Sequence, residues 1–542
     1  MKKLFFYLAT ALLCCTVILT ILTSCVNEDT PTTTPVPDSS QLADVTIMYY
    51  AHGGGTLDKH VIGNLRKMYN AERSSYNNVR IAAECKFSNE DYLPSTNDDL
   101  FKTVLEADLK KYGEEAEEKL DNVSYLLWMA PEANSTFRIA IDPTKTLKEQ
   151  VKDHYLPGKN CDFTTPDSLT NFINWAAKNC PAKRYILILH DHGGGYRPEA
   201  DLYQENAKTG STRGVIFDNG NPGHHFSAPS LEHAIKAADI RPDVVIFDAC
   251  MMNTLEYLFE LKDLTDYIVA STFNSYAGPP YDTFIECLSA ASDNLKYALE
   301  KYIEYDAKHF DELAKMDHLD IFYNDITVTE TARLNELGKV MREFTDRLCD
   351  TYKNGTAEQK QKINDVTKNA VKISKDNPSY DIGRYMEGMR KALPEVFDDA
   401  FWTDLKSAFN NCIAAQYASQ YLLDHDYQVD YSVLMAIKGV YQRTTWTSGT
   451  ESMILYDLSN YHPDGKLTTY LVENGEFKAD FVPDYQLKVE SEGQWGGTLE
   501  SVYGALAFDK ATGWSRWLML NEQQPSLWCN NDFLTPLPDS SE

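Results

Sequence analysis

Asp243-Val-Val-Ile-Phe-Asp-Ala-Cys-Met-Met-Asn-Thr-Leu-Glu256 is the stretch from which the rest of the chain is best read. Val244 to Phe247 form an apolar run too short for a helix and typical of a buried parallel strand. The run ends at an acid, Asp248, followed by the small Ala249 and then Cys250. From Met251 the spacing predicts a helix, with Met252, Leu255, Leu258 and Leu261 recurring at three-residue steps. A cysteine on such a strand-to-helix turn sits at the C-terminal edge of a sheet, where open α/β folds gather their ligands. A helix N-terminus there also offers N–H groups and a positive dipole end that lower a thiol's pKa. Cys250 is therefore the candidate nucleophile.

A nucleophilic thiol needs a base, and the residues upstream offer one. Thr165-Pro166-Asp167-Ser168 is a helix start, and the apolar face continues through Leu169, Phe172, Ile173 and Ala176. Arg184 to His190 then reads as the clearest strand of the chain and runs into Asp191-His192-Gly193-Gly194-Gly195-Tyr196. A histidine within reach of a thiol can take its proton and later hand it to a leaving amine. Three glycines behind His192 let the backbone approach a substrate and aim an N–H at a developing oxyanion. Cys250 as nucleophile, His192 as base and the N–H groups of Gly193 and Cys250 as oxyanion donors make a complete acyl-transfer site, with no acid required to orient the imidazole. Two competitors arise from the same residue types. His52-Gly53-Gly54-Gly55 also follows a strand, Asp44 to Ala51, and could supply the base. His190, Asp191 and His192 with His224 and His225 could hold a metal, but i and i+2 share a face only while a strand lasts, so no metal is expected.

Further strands read at Val79–Ala83, Val123–Met129, Phe137–Ile141, Gly214–Phe217 and Ile268–Ser271, with helices over 98–120 and Ser230–Ala238. This alternation predicts a mostly parallel, helix-flanked sheet over residues 44–292. From 293 the texture changes to amphipathic helix, and from 430 to short aromatic and β-branched runs. Residues 293–542 thus read as a separate helical and then β-rich region.

The 542 residues carry a formal charge of −29, which excludes a nucleic-acid binder because phosphate recognition needs a positive footprint. An acidic surface keeps the chain soluble and weakly favours basic peptide partners. Lys2 and Lys3 precede an apolar run from Leu4 to Leu22, the shape of a secretory signal, for which a plain membrane anchor is the alternative. Its end, Leu22-Thr23-Ser24-Cys25, resembles a bacterial lipobox, which implies removal of residues 1–24 and lipidation of Cys25. Residues 25–43 then read as a disordered Thr/Pro/Ser tether. Of 11 cysteines, those past Cys25 are scattered without CxxC spacing, so a zinc ribbon or small disulfide scaffold is not expected.

Strand-His-Gly followed by strand-Asp-Ala-Cys resembles the clostripain-like cysteine peptidases, relatives of caspases, gingipains and legumain. The likeness extends over Ser168–Tyr196, over Phe247-Asp248-Ala249-Cys250-Met251-Met252 with Glu256, over Ile268–Ser271, and more weakly over Asp44–Asp58. It implies a caspase-like fold, His192 and Cys250 as the catalytic pair, and Asp248 as the acid of the primary specificity pocket, hence cleavage after Arg or Lys. A buried carboxylate beside the nucleophile would accept a basic side chain as a charge-assisted pair; as a strand-end acid, Asp248 could otherwise cap the following helix. Ser271 and Thr272 border the same pocket, and here Thr272-Phe273 stand where the family has an acidic pair. His190 and Tyr196 replace family tryptophans, and Gly278-Pro279-Pro280-Tyr281 replaces a Gly-Trp. Relatives are often activated by a cut between histidine and cysteine, which makes Lys208 and Arg213 in the 197–213 loop the processing candidates. Calcium dependence, known among relatives, finds no ordered carboxylate loop here to support it. The resulting expectation is a monomeric, lipid-anchored envelope endopeptidase. The rival, a non-catalytic surface lipoprotein that binds protein, need not keep the His-Gly and Asp-Ala-Cys pair intact.

Overall fold

A computed structural model describes residues 42–53, 57–87, 135–142, 144–145, 155–156, 161–196, 214–218, 225–273, 275, 279–317, 325–370, 372–374, 377–419, 434–436, 440–444, 452–457, 468–473, 476–478 and 503–521. The helix expected over 98–120 and the strand expected at Val123–Met129 lie outside them.

Five strands with near-continuous apolar sequences form the parallel centre of the sheet, as expected for strands covered on both faces. They are β1 (Ala43–His52), β2 (Val79–Phe87), β5 (Ala182–His190), β8 (Val244–Asp248) and β9 (Tyr267–Ala270), with β3 (Ser135–Ala140) and β4 (Tyr155–Leu156) extending one edge antiparallel. β6 (Val215–Phe217) and β7 (His225–Phe226) pair separately as a short ribbon. Register is set by apolar pairs: Ile47 faces Val79's neighbour Ile81 on one side and Ile186 on the other, Leu187 faces Val245, and Val245 faces Ile268. The other edge is completed by β10 (Asp325–Glu330), antiparallel to β9. Past β11 (Lys372–Ser374) and β12 (Asn377–Asp381), β13 (Ile413–Ala418) closes that edge against β10. The order across the nine-stranded sheet is β13-β10-β9-β8-β5-β1-β2-β3-β4.

Alternation along the strands splits the core into two layers. Ile186, Ile188, Val244 and Ile246 point toward α1 (Asp58–Asn70), and Leu187, Leu189, Val245 and Phe247 toward α2 (Pro166–Asn179) and α3 (Ala228–Lys236). Both of the latter helices start as their sequences dictate. Thr165 accepts the Ser168 N–H ahead of Pro166, and Ser227 makes a reciprocal capping box with Ser230. The second layer also holds α4 (Leu255–Leu261), while α5 (Tyr281–Ala290) and α6 (Leu295–Asp317) cover the first.

No packing boundary falls at residue 293. β10 and β13 belong to the central sheet, α6 covers its face, and the described residues from Ala43 onward form one compact unit. The helices α7 (Leu334–Asn354), α8 (Ala357–Lys368), α9 (Ile382–Ala392) and α10 (Asp399–Cys412) share a core cluster with α4. So do α11 (Ala507–Thr512) and α12 (Ser515–Asn521). The texture change at 293 marks a change of element type along one body. Two small sheets lie in this part of the chain: β11 and β12, within the stretch expected to be helical, with β14 (Leu434–Ala436), and a meander of β15 (Val440–Thr444), β16 (Ser452–Asp457), β17 (Thr468–Glu473) and β18 (Glu476–Lys478).

Candidate active site

The Cys250 turn differs from the strand-then-helix reading. α4 begins at Leu255, capped by Thr254, whose hydroxyl accepts the Tyr257 N–H. Residues 249–253 form a tight turn in which Met251 adopts φ 59°, a conformation unfavourable for a residue with a side chain. The surroundings over-determine that turn. Met251 N–H donates to the Phe273 carbonyl and Asn253 N–H to the Ser271 carbonyl, each at 2.9 Å, and the Asn253 amide reaches the Thr272 hydroxyl at 3.2 Å. One oxygen of Asp325 accepts both the Thr272 and Phe273 N–H groups at 2.9 Å, fixing the strand end that holds the turn. Ser271 and Thr272 are therefore spent on shaping the Cys250 turn from beneath, and both are buried.

Cys250 is only partly covered. The Ser275 N–H lies 3.4 Å from its sulfur. The thiol pKa is nonetheless raised: burial pushes it up, the Asp248 charge adds to that, and the Ser275 N–H only partly opposes. This corrects the expectation of a thiol acidified by a helix N-terminus, since the helix starts four residues later and no longer aims its first N–H groups at the sulfur.

His192 follows β5 on a loop that returns to the Cys250 turn. A β-carbon on Gly193 would lie 2.1 Å from the Cys250 carbonyl oxygen, 3.0 Å from its amide nitrogen and 3.1 Å from the Ala249 β-carbon, so only glycine fits. The loop is further held by pairing of Gly193 with Val215, in which the Gly194 N–H donates to the Gly214 carbonyl at 2.8 Å. His192's own N–H donates to Asp191 at 2.6 Å. The fold thus brings the main chain at Gly193 against that of Ala249 and Cys250, and His192, the residue before Gly193, is partly exposed.

The three consecutive polar residues 190–192 diverge. His190 turns to the α1/α5 side, where its Nδ1 lies 2.7 Å from Asp248. Asp191 turns to the opposite layer and meets His52 at 2.9 Å. They do not converge as a ligand set, and among the described residues no group of three or more such side chains could hold a metal; His224 lies outside them.

Asp248 is buried, and the same oxygen accepts from His190, from the Tyr281 hydroxyl at 2.8 Å and from the Asn64 amide at 3.3 Å. Burial alone would push its pKa up, but the His190 charge, the hydrogen bonds and the Lys67 ammonium hold it below the usual carboxylate range. It stays an anion although it is buried. A second buried acid stands nearby on α6: Asp306, whose Oδ1 has no hydrogen-bond partner and whose pKa is pushed up to about 7 by burial and then by the Asp248 charge.

The family model described as the clostripain family matches residues 97–501. The chain belongs to the clostripain family. That is a family of cysteine peptidases, and the curated clostripain of Hathewaya histolytica is 26% identical over 132 residues, a segment covering 21% of this chain and 23% of that protein's length. Among solved structures, a secreted cysteine protease from Bacteroides thetaiotaomicron in complex with an irreversible peptide inhibitor is 15% identical, with a TM-score of 0.48, covering 87% of this chain and 99% of that one. An inactive zymogen protease from Parabacteroides distasonis is also 15% identical, with a TM-score of 0.43, covering 71% and 86%.

Several groups around this clostripain-family site carried no signal in the sequence. Asn64, Ser275, Asp325 and Asp306 come from separate parts of the chain and only the tertiary fold juxtaposes them, while Tyr281 was visible only within a stretch that departs from the family's motif. His52 was visible, and it is fully buried beside Asp191. The processing candidates Lys208 and Arg213, and the lipidation candidate Cys25, lie outside the described residues.

Proposed function

We propose that this clostripain-family peptidase is a secreted, lipid-anchored endopeptidase that cleaves after Arg or Lys, with Cys250 as nucleophile and His192 as base. The observation that carries the reading is the close approach of Gly193 to the Cys250 main chain, because it joins the loop of one residue to the turn of the other. His192 removes the thiol proton as the sulfur attacks the scissile carbonyl, and the N–H groups of Gly193 and Cys250 receive the oxyanion. The imidazolium then protonates the leaving amine, giving a thioester that water, deprotonated by the same ring, hydrolyses. The raised thiol pKa favours proton transfer during attack over a thiolate formed in advance.

The basic preference is supported by Asp248, a buried anion two residues before Cys250; Ser271 and Thr272 are proposed to border the same pocket. A guanidinium or ammonium arriving there gains a charge-assisted hydrogen bond, which a neutral side chain cannot make. Self-processing is proposed after Lys208. Arg213 precedes Gly214, which is paired to Gly194 and packed so that a β-carbon would sit 2.3 Å from the Phe226 carbonyl, so a cut there needs that segment to peel away first.

The test compares wild type with Cys250→Ala, His192→Ala and Asp248→Asn on peptidyl-Arg, -Lys and -norleucine aminomethylcoumarins. Both alanine variants should lose all thiol-sensitive release. Asp248→Asn should lose about ten- to hundredfold in kcat/KM on Arg and Lys while norleucine, an uncharged isostere of Lys, is little affected. Equal losses on all three substrates would remove Asp248 from the specificity role.

A further inference from the structure

The reaction proposed above leaves His52 unused. His52 ends β1 and is fully buried, at 0% exposure. Its Nδ1 lies 2.9 Å from Asp191 Oδ2, and its Nε2 lies 3.7 Å from Asp218 Oδ1. Asp218 accepts the Lys86 ammonium at 2.5 and 2.7 Å and the Phe163 N–H at 2.7 Å. Lys86, at the end of β2, also donates to the Cys161 carbonyl at 2.7 Å. At the other end of the row, Asp191 spends Oδ1 on the His192 N–H at 2.6 Å, and Oδ2 on the Phe217 N–H at 2.7 Å as well as on His52.

Four ionisable side chains, Lys86, Asp218, His52 and Asp191, thus run in alternation beneath the loop that carries His192, and none is more than 2% exposed. An apolar filling of equal volume would be as stable or more so, because each buried ion must recover its lost hydration. What the row supplies instead is direction. The contact between His52 Nδ1 and one Asp191 oxygen ties the carboxyl group to a ring held by the sheet, so the imidazole fixes how Asp191 is turned. The orientation of Asp191 in turn fixes the main chain of His192. His52 is anchored in the rigid sheet, whereas His192 lies beyond the end of β5.

We infer that His52 is a positioning residue for His192, acting through Asp191. The same row binds Phe217 and Asp218, which follow the 197–213 loop in sequence, so His192 is set only when the 214–218 segment is seated. The inference rests on His192 being the base. It extends to a second histidine that no substrate atom touches.

The experiment measures kcat and KM per active site, with sites counted by an irreversible peptidyl-Lys ketone, for wild type and His52→Leu, His52→Asn, Asp191→Asn and His192→Ala. His52→Leu should lose roughly ten- to hundredfold in kcat per titrated site, with KM within about twofold, the size expected of a displaced catalytic group. In His52→Asn the amide nitrogen stands where Nδ1 stood, and should restore kcat to within about threefold. A purely structural role would lower the number of titratable sites and leave kcat per site unchanged, and that result overturns the inference. So does His52→Asn performing no better than His52→Leu. If His52→Leu does not fold, Asp191→Asn carries the test, with the same kcat loss expected and an unchanged kcat overturning. An active His192→Ala enzyme would sink the dyad itself. An inactive one beside a fully active His52→Leu would sink only the positioning role.

Discussion

The α-carbon of Gly193 is pressed against Cys250 so closely that a β-carbon there would stand 2.1 Å from the Cys250 carbonyl oxygen. The obstacle is backbone, which cannot swing aside as a flexible side chain would. Gly193→Ala should therefore force the His192 loop and the Cys250 turn apart and lower kcat/KM by about a hundredfold or more. Steady-state kinetics on a peptidyl-Arg substrate read the loss, and a wild-type rate would show that the two main chains need not touch during the reaction.

The raised thiol pKa makes a second expectation. With its pKa raised above the ordinary value of 9.0, Cys250 holds little thiolate near neutrality in the free enzyme. Inactivation by iodoacetamide should be slow at pH 7 and rise about tenfold per pH unit until the pH passes that ordinary thiol range. A plateau reached by pH 7 would instead reveal a preformed ion pair.

Asp306 gives a pH-dependent stability. Its folded pKa of about 7 stands above the unfolded 3.8, so its contribution is fully present below about pH 3.8 and is lost as pH rises to 7. Asp306→Asn removes that loss. Its melting temperature relative to wild type should climb between about pH 4 and 7 and level off above. A difference that stays flat across that window would mean that Asp306 ionises freely in the folded chain.

Trp514 fills the far layer, fully buried between Phe344, stacked at 6.2 Å, and Tyr385, edge-on at 6.4 Å. Trp514→Ala should cost about 3–5 kcal/mol, read as a lower urea midpoint with little change in slope. An unchanged midpoint would show that this layer is not part of the cooperative unit.

The parallel centre of the sheet was legible because its strands are covered on both faces and read as unbroken apolar runs, as at Arg184–His190 and Val244–Phe247. The candidate pair was legible for a related reason: His192 and Cys250 both lie just past the ends of neighbouring strands. The start of α4 was not. Met251 and Met252 fit a helical spacing, yet Met252 is buried in the same layer as Leu255 while its turn is bonded to Ser271 and Phe273, and tertiary contacts prevailed over periodicity. The unity of the chain beyond residue 293 was hidden too. β10 and β13 are short, separated by four helices, and only their antiparallel pairing reveals that they finish the sheet. His52 resembled a base by its neighbours in sequence, but sequence carries no measure of depth.

The Tyr503 hydroxyl donates to Glu256 at 2.9 Å, the Ala507 N–H binds Glu260, and the Tyr503 ring packs edge-on against Tyr196. Glu256 and Glu260 lie on the helix that follows Cys250, and Tyr196 closes the His192 loop, so both halves of the site lean on residues near the carboxyl end. The segment from Tyr503 to Ala507 thus ties the His192 loop and the helix after Cys250 to one common support, so that loosening it disturbs both at once.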